Sequence, residues 1–257
     1  MNENLNKKFE SLKKEFISFK NNQANKKLRI RDIAHKLGVS EAELLSTQID
    51  NQNIKYLKIL NYKSFFKNLF QSKKVMLLIR SDFIVHEKVV NCDELKYEKD
   101  LISFKNKENN DLTFFNTKDI INVFFENKLH QNKPLLSFQF FDGNGDAILK
   151  IFLKSKDYGI FNEIAKKHIE DYDFNLQKNK QNKAIQNNVT FEKKYNKNKC
   201  KIVKTDHLIL RYILENISKL KIPIQLHAFG NSSKQYHFGL AKNIMDFGPW
   251  INVIDKK

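Results

Sequence analysis

The stretch LLSFQFFDGNGDAILKIFL, residues 135–153, constrains the fold of this chain more than any other. Successive side chains of a strand point to opposite faces, so Leu136, Phe138 and Phe140 share one face and Ser137, Gln139 and Phe141 the other. A second strand, Ala147 to Leu153, sets Ala147, Leu149, Ile151 and Leu153 against Ile148, Lys150 and Phe152. Between the two, Asp142-Gly143-Asn144-Gly145-Asp146 supplies residues that tolerate positive φ and bond their own backbone. The pattern predicts a half-buried antiparallel hairpin, which needs other strands to pair with. The turn resembles the opening of a calcium loop, Asp-x-Asn-x-Asp. That resemblance fails on spacing, because Ala147 stands where a glycine is required and Leu153 where a bidentate glutamate is.

Around the hairpin the chain alternates helical and strand-like patterns. Residues 4–20 read as an amphipathic helix, with Leu5, Phe9, Leu12, Phe16 and Phe19 at helical spacing. Residues 28–49 read as two short helices: Gly38 ends the first, and Ser40 with Glu43 forms a capping box that opens the second. In a basic protein such a pair suggests a DNA-binding helix-turn-helix; the plainer reading is a helical hairpin covering a sheet edge. Tyr62 to Phe70 is helical. Residues 75–90 read as strand, turn at Arg80-Ser81-Asp82, and strand; shorter strands follow at Leu101–Lys105, Asp111–Phe115 and Ile120–Phe125, and Asp157 to Tyr172 closes the unit as a helix. The sum is an α+β domain over residues 1–173, with a continuous antiparallel sheet centred on the hairpin and helices on one side.

Residues 174–204 are rich in Lys, Asn and Gln and read as an irregular linker. Beyond them, Asp206 to Leu220 is an amphipathic helix followed by four strand-like segments. This repeats the layout of residues 62–90: helix, strand, turn (Gly230-Asn231 in the second case), then a strand carrying His86 or His237. The expectation is a second, truncated copy of the unit over 205–257. Its strand at 250–254 would lack partners, and that open edge points to packing on the first unit or to a homodimer.

Composition narrows the function classes. Of 257 residues 41% are hydrophobic and 22 are Phe, enough for a sizeable core. A net charge of +17 draws polyanions and anionic ligands, although the excess is mostly Lys spread among Asn, as an AT-rich genome would encode. Cys92 and Cys200 stand alone, with no spacing for a disulfide framework or a zinc site. The first residues carry no apolar signal region and no run reaches the length of a membrane span, so the expectation is a cytoplasmic protein without membrane insertion. No nucleophile elbow, phosphate loop, HExxH or paired-carboxylate signature marks an enzyme.

Four segments carry a resemblance: RIRDIAHKLGVSEAELL, VMLLIRSDFIVHEK, SFQFFDGNGDAILKIFL and the final GNSSKQYHFG…GPWINVID. In this order they resemble the haemin-utilisation proteins of the HemS/HmuS type, and the first repeat also resembles the single-domain ChuX/HutX haem carriers. The resemblance implies cytoplasmic proteins of two tandem repeats, each a large curved antiparallel sheet flanked by helices, with haem as ligand or substrate. It makes the pair at 28–49 part of that helical flank rather than a reader of nucleic acid. It also implies a proximal histidine on a helix early in the second repeat, in a segment like W-x-x-L-x-D-x-H-x-F-F, and a late distal arginine. Here the linker occupies the first place, and the second would lie beyond Lys257. The single-domain carriers' histidines fall at Arg80 and near Phe114. What is left as haem-binding candidates is His237, His227, Tyr236 and His86, with Arg80, and with Lys242 beside a family lysine near the propionates. Trp250 reads as core, and His130, His168 and His207 as surface. The reading is a haem-binding or haem-trafficking protein of haemin uptake and iron acquisition, serving a haem-uptake or haem-acceptor protein. The alternatives are a haem-degrading enzyme and, in a different class, a basic helix-turn-helix regulator.

Overall fold

The computed structural model describes residues 2–26, 28–50, 52–72, 74–80, 84–91, 94–105, 112–172, 206–229, 233–247 and 250–254. The turns at Ser81-Asp82 and Gly230-Asn231, the linker over 174–204 and the side chain of Trp250 lie outside them. Six α-helices are described: α1 Asn2–Asn21, α2 Ile30–Lys36, α3 Glu41–Ser46, α4 Tyr62–Leu69, α5 Tyr158–His168 and α6 His207–Lys219. The strands are β1 Ile54–Leu57, β2 Lys74–Arg80, β3 Val85–Asn91, β4 Glu94–Glu98, β5 Leu101–Lys105, β6 Leu112–Asn116, β7 Asn122–His130, β8 Lys133–Phe141, β9 Ala147–Leu153, β10 Pro223–Phe229, β11 Ser233–Leu240, β12 Asn243–Phe247 and β13 Trp250–Ile254.

The fold is α+β with antiparallel sheets, but the expected continuous sheet is divided. One sheet has six strands in the order β1-β7-β8-β9-β2-β3, a second has five in the order β10-β11-β6-β5-β4, and β12 pairs with β13 alone. The hairpin sits in the middle of the first sheet as β8 and β9. The second sheet joins strands from residues 94–116 to strands from residues 223–240, because β11 pairs with β6 from Ser233↔Phe115 to Tyr236↔Leu112. The helix–strand–strand order α4-β2-β3 recurs as α6-β10-β11, and both strand pairs are antiparallel.

Between the sheets lies the main core. It takes Leu136, Phe138 and Phe140 from β8, Leu149 and Ile151 from β9, Val75, Leu77 and Ile79 from β2, and Ile102, Phe104, Phe115 and Ala228 from the facing sheet. Helix α4 wedges in with Phe65, Phe66 and Leu69, all essentially inaccessible. The Phe66 ring centroid is 5.0 Å from Phe115 and 5.4 Å from Phe140, so one side chain ties the two sheets together. Each such buried ring contributes about 1.5–3 kcal/mol.

Helices lie on both faces of the six-stranded sheet, not on one. On the face away from the main core, α3 packs Ala42 and Leu45 against Phe124, Phe141, Ile54 and Tyr56. Helix α1 then covers α2 and α3 with Leu12 and Phe16 against Ile33, Ala34 and Leu44. The hairpin is therefore buried on both faces rather than half-buried. Its polar side chains Ser137, Gln139 and Lys150 are as inaccessible as its apolar ones. Strict alternation also breaks at Phe140/Phe141, where the register jumps from Phe140↔Leu149 to Phe141↔Ala147. The extra residue, Ile148, joins Leu149 in the core, and its carbonyl accepts a hydrogen bond from Ser233 Oγ at 2.6 Å.

The hairpin turn docks on the capping box. Ser40 Oγ accepts from the Glu43 N–H, the Glu43 carboxylate accepts from the Ser40 N–H, and the Ala42 N–H donates to the Gly145 carbonyl at 3.1 Å. Gly145 has φ +79°, and a Cβ on it would stand 2.6 Å from Ser40 Cβ and collide with its Oγ. Left-handed backbone strain and overpacking together predict that Gly145→Val lowers stability by about 3 kcal/mol, read from the urea midpoint at constant m-value. An unmoved midpoint would show that the turn does not rest on α3.

Two short strands escaped the sequence reading. β1 is four residues long, and β4 alternates Leu95 and Tyr97 with charges whose period is easily taken for a surface loop. Helix α5 stops at His168, short of Tyr172. Ile169 leaves the helix to bridge Leu57, and the His168 carbonyl accepts from the Lys58 N–H at 2.9 Å.

Candidate functional site: a two-histidine cleft

β3 ends the six-stranded sheet and β10 ends the five-stranded one. Near these two edges opens a small cleft of about 80 Å³, lined by His86, Glu87 and Lys88 of β3, Ile224 and Leu226 of β10, His237 and Leu240 of β11, Ala241 and Val253. Strand parity explains why the histidines reach it. His86 lies opposite Ile79 and Lys88 opposite Leu77, both core residues, so β3 turns His86, Lys88 and Val90 to the inner face. On β11 the inner face carries Ser233, Gln235 and His237, all buried, and His237 lies opposite Leu226. The two imidazoles meet with ring centroids 6.1 Å apart. The Lys88 ammonium lies 3.3 Å from His237 Nδ1. His86 and His237 lie on corresponding strands of the recurring helix–strand–strand order but at different depths, His86 opposite the next-to-last residue of β2 and His237 opposite the middle of β10.

The other sequence candidates are not brought there. His227 and Tyr236 are cross-strand partners on the outer face of the same sheet, edge-on at 4.6 Å, with Phe114 5.4 Å from the Tyr236 ring. Partial burial holds the His227 imidazole below its ordinary value. Arg80 points to the far face of the six-stranded sheet, where it pairs with the buried Glu41. Lys242 is exposed between β11 and β12, with its carbonyl accepting from Ser218 Oγ at 3.3 Å. His168, read as surface, is half-buried with its ring edge-on to Phe65 at 5.5 Å, and that burial pushes it below its ordinary value. Lys88 was missed. The signal was present in VHEKVV, where the parity that turns His86 inward turns Lys88 with it.

The donor set restricts the chemistry. Among the described residues no group of three or more His, Cys, Asp or Glu side chains could hold a metal ion, so a bare divalent cation has no cage here. A metal that brings its own equatorial ligands needs only an axial nitrogen, and imidazole is a common donor of that kind. The lining is mixed: Ile224, Leu226, Leu240, Ala241 and Val253 are apolar, as a flat ring needs, Lys88 adds a cation for a carboxylate, and Glu87 sets a carboxylate of the chain's own at the same cleft.

The family model described as the haemin-degrading HemS.ChuX domain matches residues 38–168, just over half of the chain. The chain belongs to this family. The HemS.ChuX match runs from the glycine that ends α2 to the last residue of α5, so it contains His86 and Lys88, whereas His237 lies outside it. Among solved structures, the HemS.ChuX fold recurs in the heme degrading enzyme ChuS of Escherichia coli O157:H7. That protein is 17% identical over 96% of this chain and 80% of its own, with a TM-score of 0.73. It recurs also in holo-PhuS, a heme-binding protein from Pseudomonas aeruginosa, 17% identical over the same shares of the two chains, with a TM-score of 0.72. At that identity the likeness is one of fold. No curated protein matches the chain significantly. Among the described residues no helix is long and apolar enough to cross a membrane.

Proposed function

We propose that this chain binds haem in the cleft between β3, β10 and β11 and carries it in the cytoplasm as part of haemin uptake and iron acquisition. The observation that carries the reading is the pair of neighbouring imidazoles, His86 and His237, in a cleft of mixed polar and apolar lining with Lys88 beside them, in a member of the HemS.ChuX family. Bound haem would supply an iron centre with open axial positions. The chain's own part is to offer an imidazole nitrogen from His86 or His237, to meet a propionate with Lys88 and to shield the ring with Leu226 and Leu240. The reading treats 1–173 and 205–257 as two repeats joined by 174–204, with the site formed only where they meet. A haem-uptake or haem-acceptor protein would deliver or receive the cargo, and a homodimer through the β12–β13 edge is compatible with this.

The helix-turn-helix alternative loses its physical basis. Five of the six residues of α3, including Ala42, Leu44 and Leu45, are buried against the sheet and α2, which leaves no helix face for a DNA groove.

Titrating the intact chain with haemin and following the Soret band separates the readings. The proposal expects saturation at one haem per chain and a band that persists when ascorbate and oxygen are added. A band that decays under those conditions would make the protein an enzyme like the one ChuS is named for. No saturable band would overturn haem binding.

A further inference from the structure

Helix α6 is built inside out. His207, Arg211, Glu215 and Ser218 recur at spacings of four, four and three, so they share one face. That polar face is the one turned to the rest of the chain. Arg211 Nε donates to Glu215 at 2.9 Å, and the same guanidinium pairs with Asp246 of β12. His207 Nε2 lies 3.5 Å from Asp246, and Ser218 Oγ donates to the Lys242 carbonyl. The opposite face carries Ile209, Ile213 and Leu220, which are 50%, 42% and 70% exposed, and no residue of the helix is buried. An amphipathic helix ordinarily turns its apolar stripe to a core. The counterpart α4 does so, with Phe65, Phe66 and Leu69 closed in between the sheets. An apolar face left open along a whole helix marks a place where another surface docks.

We propose that this face docks on the same face of a second copy of the chain, with the two helices antiparallel about a twofold axis at Ile213. Self-pairing of this kind requires a surface that matches itself when the residue order is reversed. The ridge Ile209–Ile213–Ile217 does so, with one isoleucine at the centre and another four residues to either side. Ridges at that spacing interlock between crossing helices. The charges match in the same register. Reversal about Ile213 brings Asp206, at the start of one helix, to the end of the other, where Lys219 stands, and it opposes the two helix dipoles. Between these ends the apolar face holds no charged side chain, so two chains of net charge +17 meet there without like charges in contact. A lipid surface fits less well. Helices that lie on membranes line their polar face with Lys and Arg, whereas the polar face of α6 sets Arg211 beside the acidic Glu215 and pairs it with Asp246. The helix is 13 residues long, about 20 Å, and one such face gives less than the roughly 800 Å² each partner brings to a standard interface, so the dimer is a weak one driven by concentration. The proposal does not depend on the haem reading.

The test is sedimentation velocity on the full-length chain over a rising concentration series. The parent should pass from the mass of one chain toward twice that mass. Ile213→Glu, which sets two carboxylates on the axis, should stay at the mass of one chain throughout, with amide dispersion like the parent's. A parent that never dimerises overturns the proposal. So does a dimer that survives in Ile213→Glu, because the copies would then meet elsewhere, as at the β12–β13 edge. Crosslinking checks the register without relying on that variant. In a chain carrying Cys92→Ser and Cys200→Ser, Ile213→Cys should give a disulfide-linked dimer under mild oxidation. Leu208→Cys should not, because antiparallel helices hold position 208 about 15 Å along the axis from its own copy. Crosslinking at 208 as readily as at 213 overturns the antiparallel pairing. Flotation of the parent with vesicles of anionic phospholipid, lost in Ile213→Glu while the parent sediments as one chain, would give the face to a membrane surface and overturn the second copy as its occupant.

Discussion

Replacing Glu41 by glutamine is expected to destabilise the folded chain by about 3–5 kcal/mol, the usual cost of removing one partner from a buried ionic cluster. Glu41 stands at the first position of α3 and is almost inaccessible. Its carboxylate accepts from Lys150 Nζ at 2.6 Å and from the Arg80 guanidinium, both poorly accessible themselves. Burial alone would raise the Glu41 carboxyl, but the charges and hydrogen bonds of Lys150 and Arg80 outweigh it and hold the group below its ordinary value of 4.5. The amide of Glu41→Gln keeps the shape and leaves two cations facing each other under α3. Lys150→Met should cost less, because Arg80 still pairs with the carboxylate. The sign with pH follows from the lowered value. A group with a depressed folded-state pKa contributes stability that is complete above its unfolded value, here near 4.5, and is lost as pH falls through the folded one. Urea unfolding between pH 3 and 7 should therefore show a stability loss on acidification that is shallower in Glu41→Gln than in the parent. A variant as stable as the parent at neutral pH, with the same acid limb, would show that the cluster does not hold the helix to the sheet.

How much of this was legible depended on whether a residue's surroundings were local or distant in sequence. The hairpin, the capping box and β5 could be read because period-2 alternation and a three-residue spacing are local signals. The burial of Lys150 could not. Its partner lies 109 residues earlier, and a lysine on a strand ordinarily marks a solvent face. The same holds for the sheet division. Nothing within β11 announces that it pairs with β6, and that pairing helps set its Ser233–Gln235–His237 face against the six-stranded sheet. Of the haem-binding candidates, parity on β11 already separates His237 from His227 and Tyr236, since Leu226 and His237 share one face and His227 and Tyr236 the other. Which face is covered was decided by the six-stranded sheet, beyond the reach of that pattern. That His86 and His237 come together was visible only in part, as one histidine on each of two corresponding strands of a repeated helix–strand–strand order.

The second large effect concerns the cleft itself, and it decides the account. Haemin titrations followed through the Soret and visible bands should be run on His86→Ala, His237→Ala, the double variant, and His227→Ala with Tyr236→Phe as controls on the outer face. Loss of groups that merely orient a metal's ligands commonly costs 10–100-fold, so removing both imidazoles should weaken haem binding by about 100-fold or more. The single variant at 86 or 237 that removes the axial donor should shift the axial-ligand bands, and the two outer-face variants should keep the parent spectrum and affinity. A double variant that binds haem with the parent's spectrum, or an axial band that moves only in His227→Ala or Tyr236→Phe, would place the haem elsewhere and contradict the site.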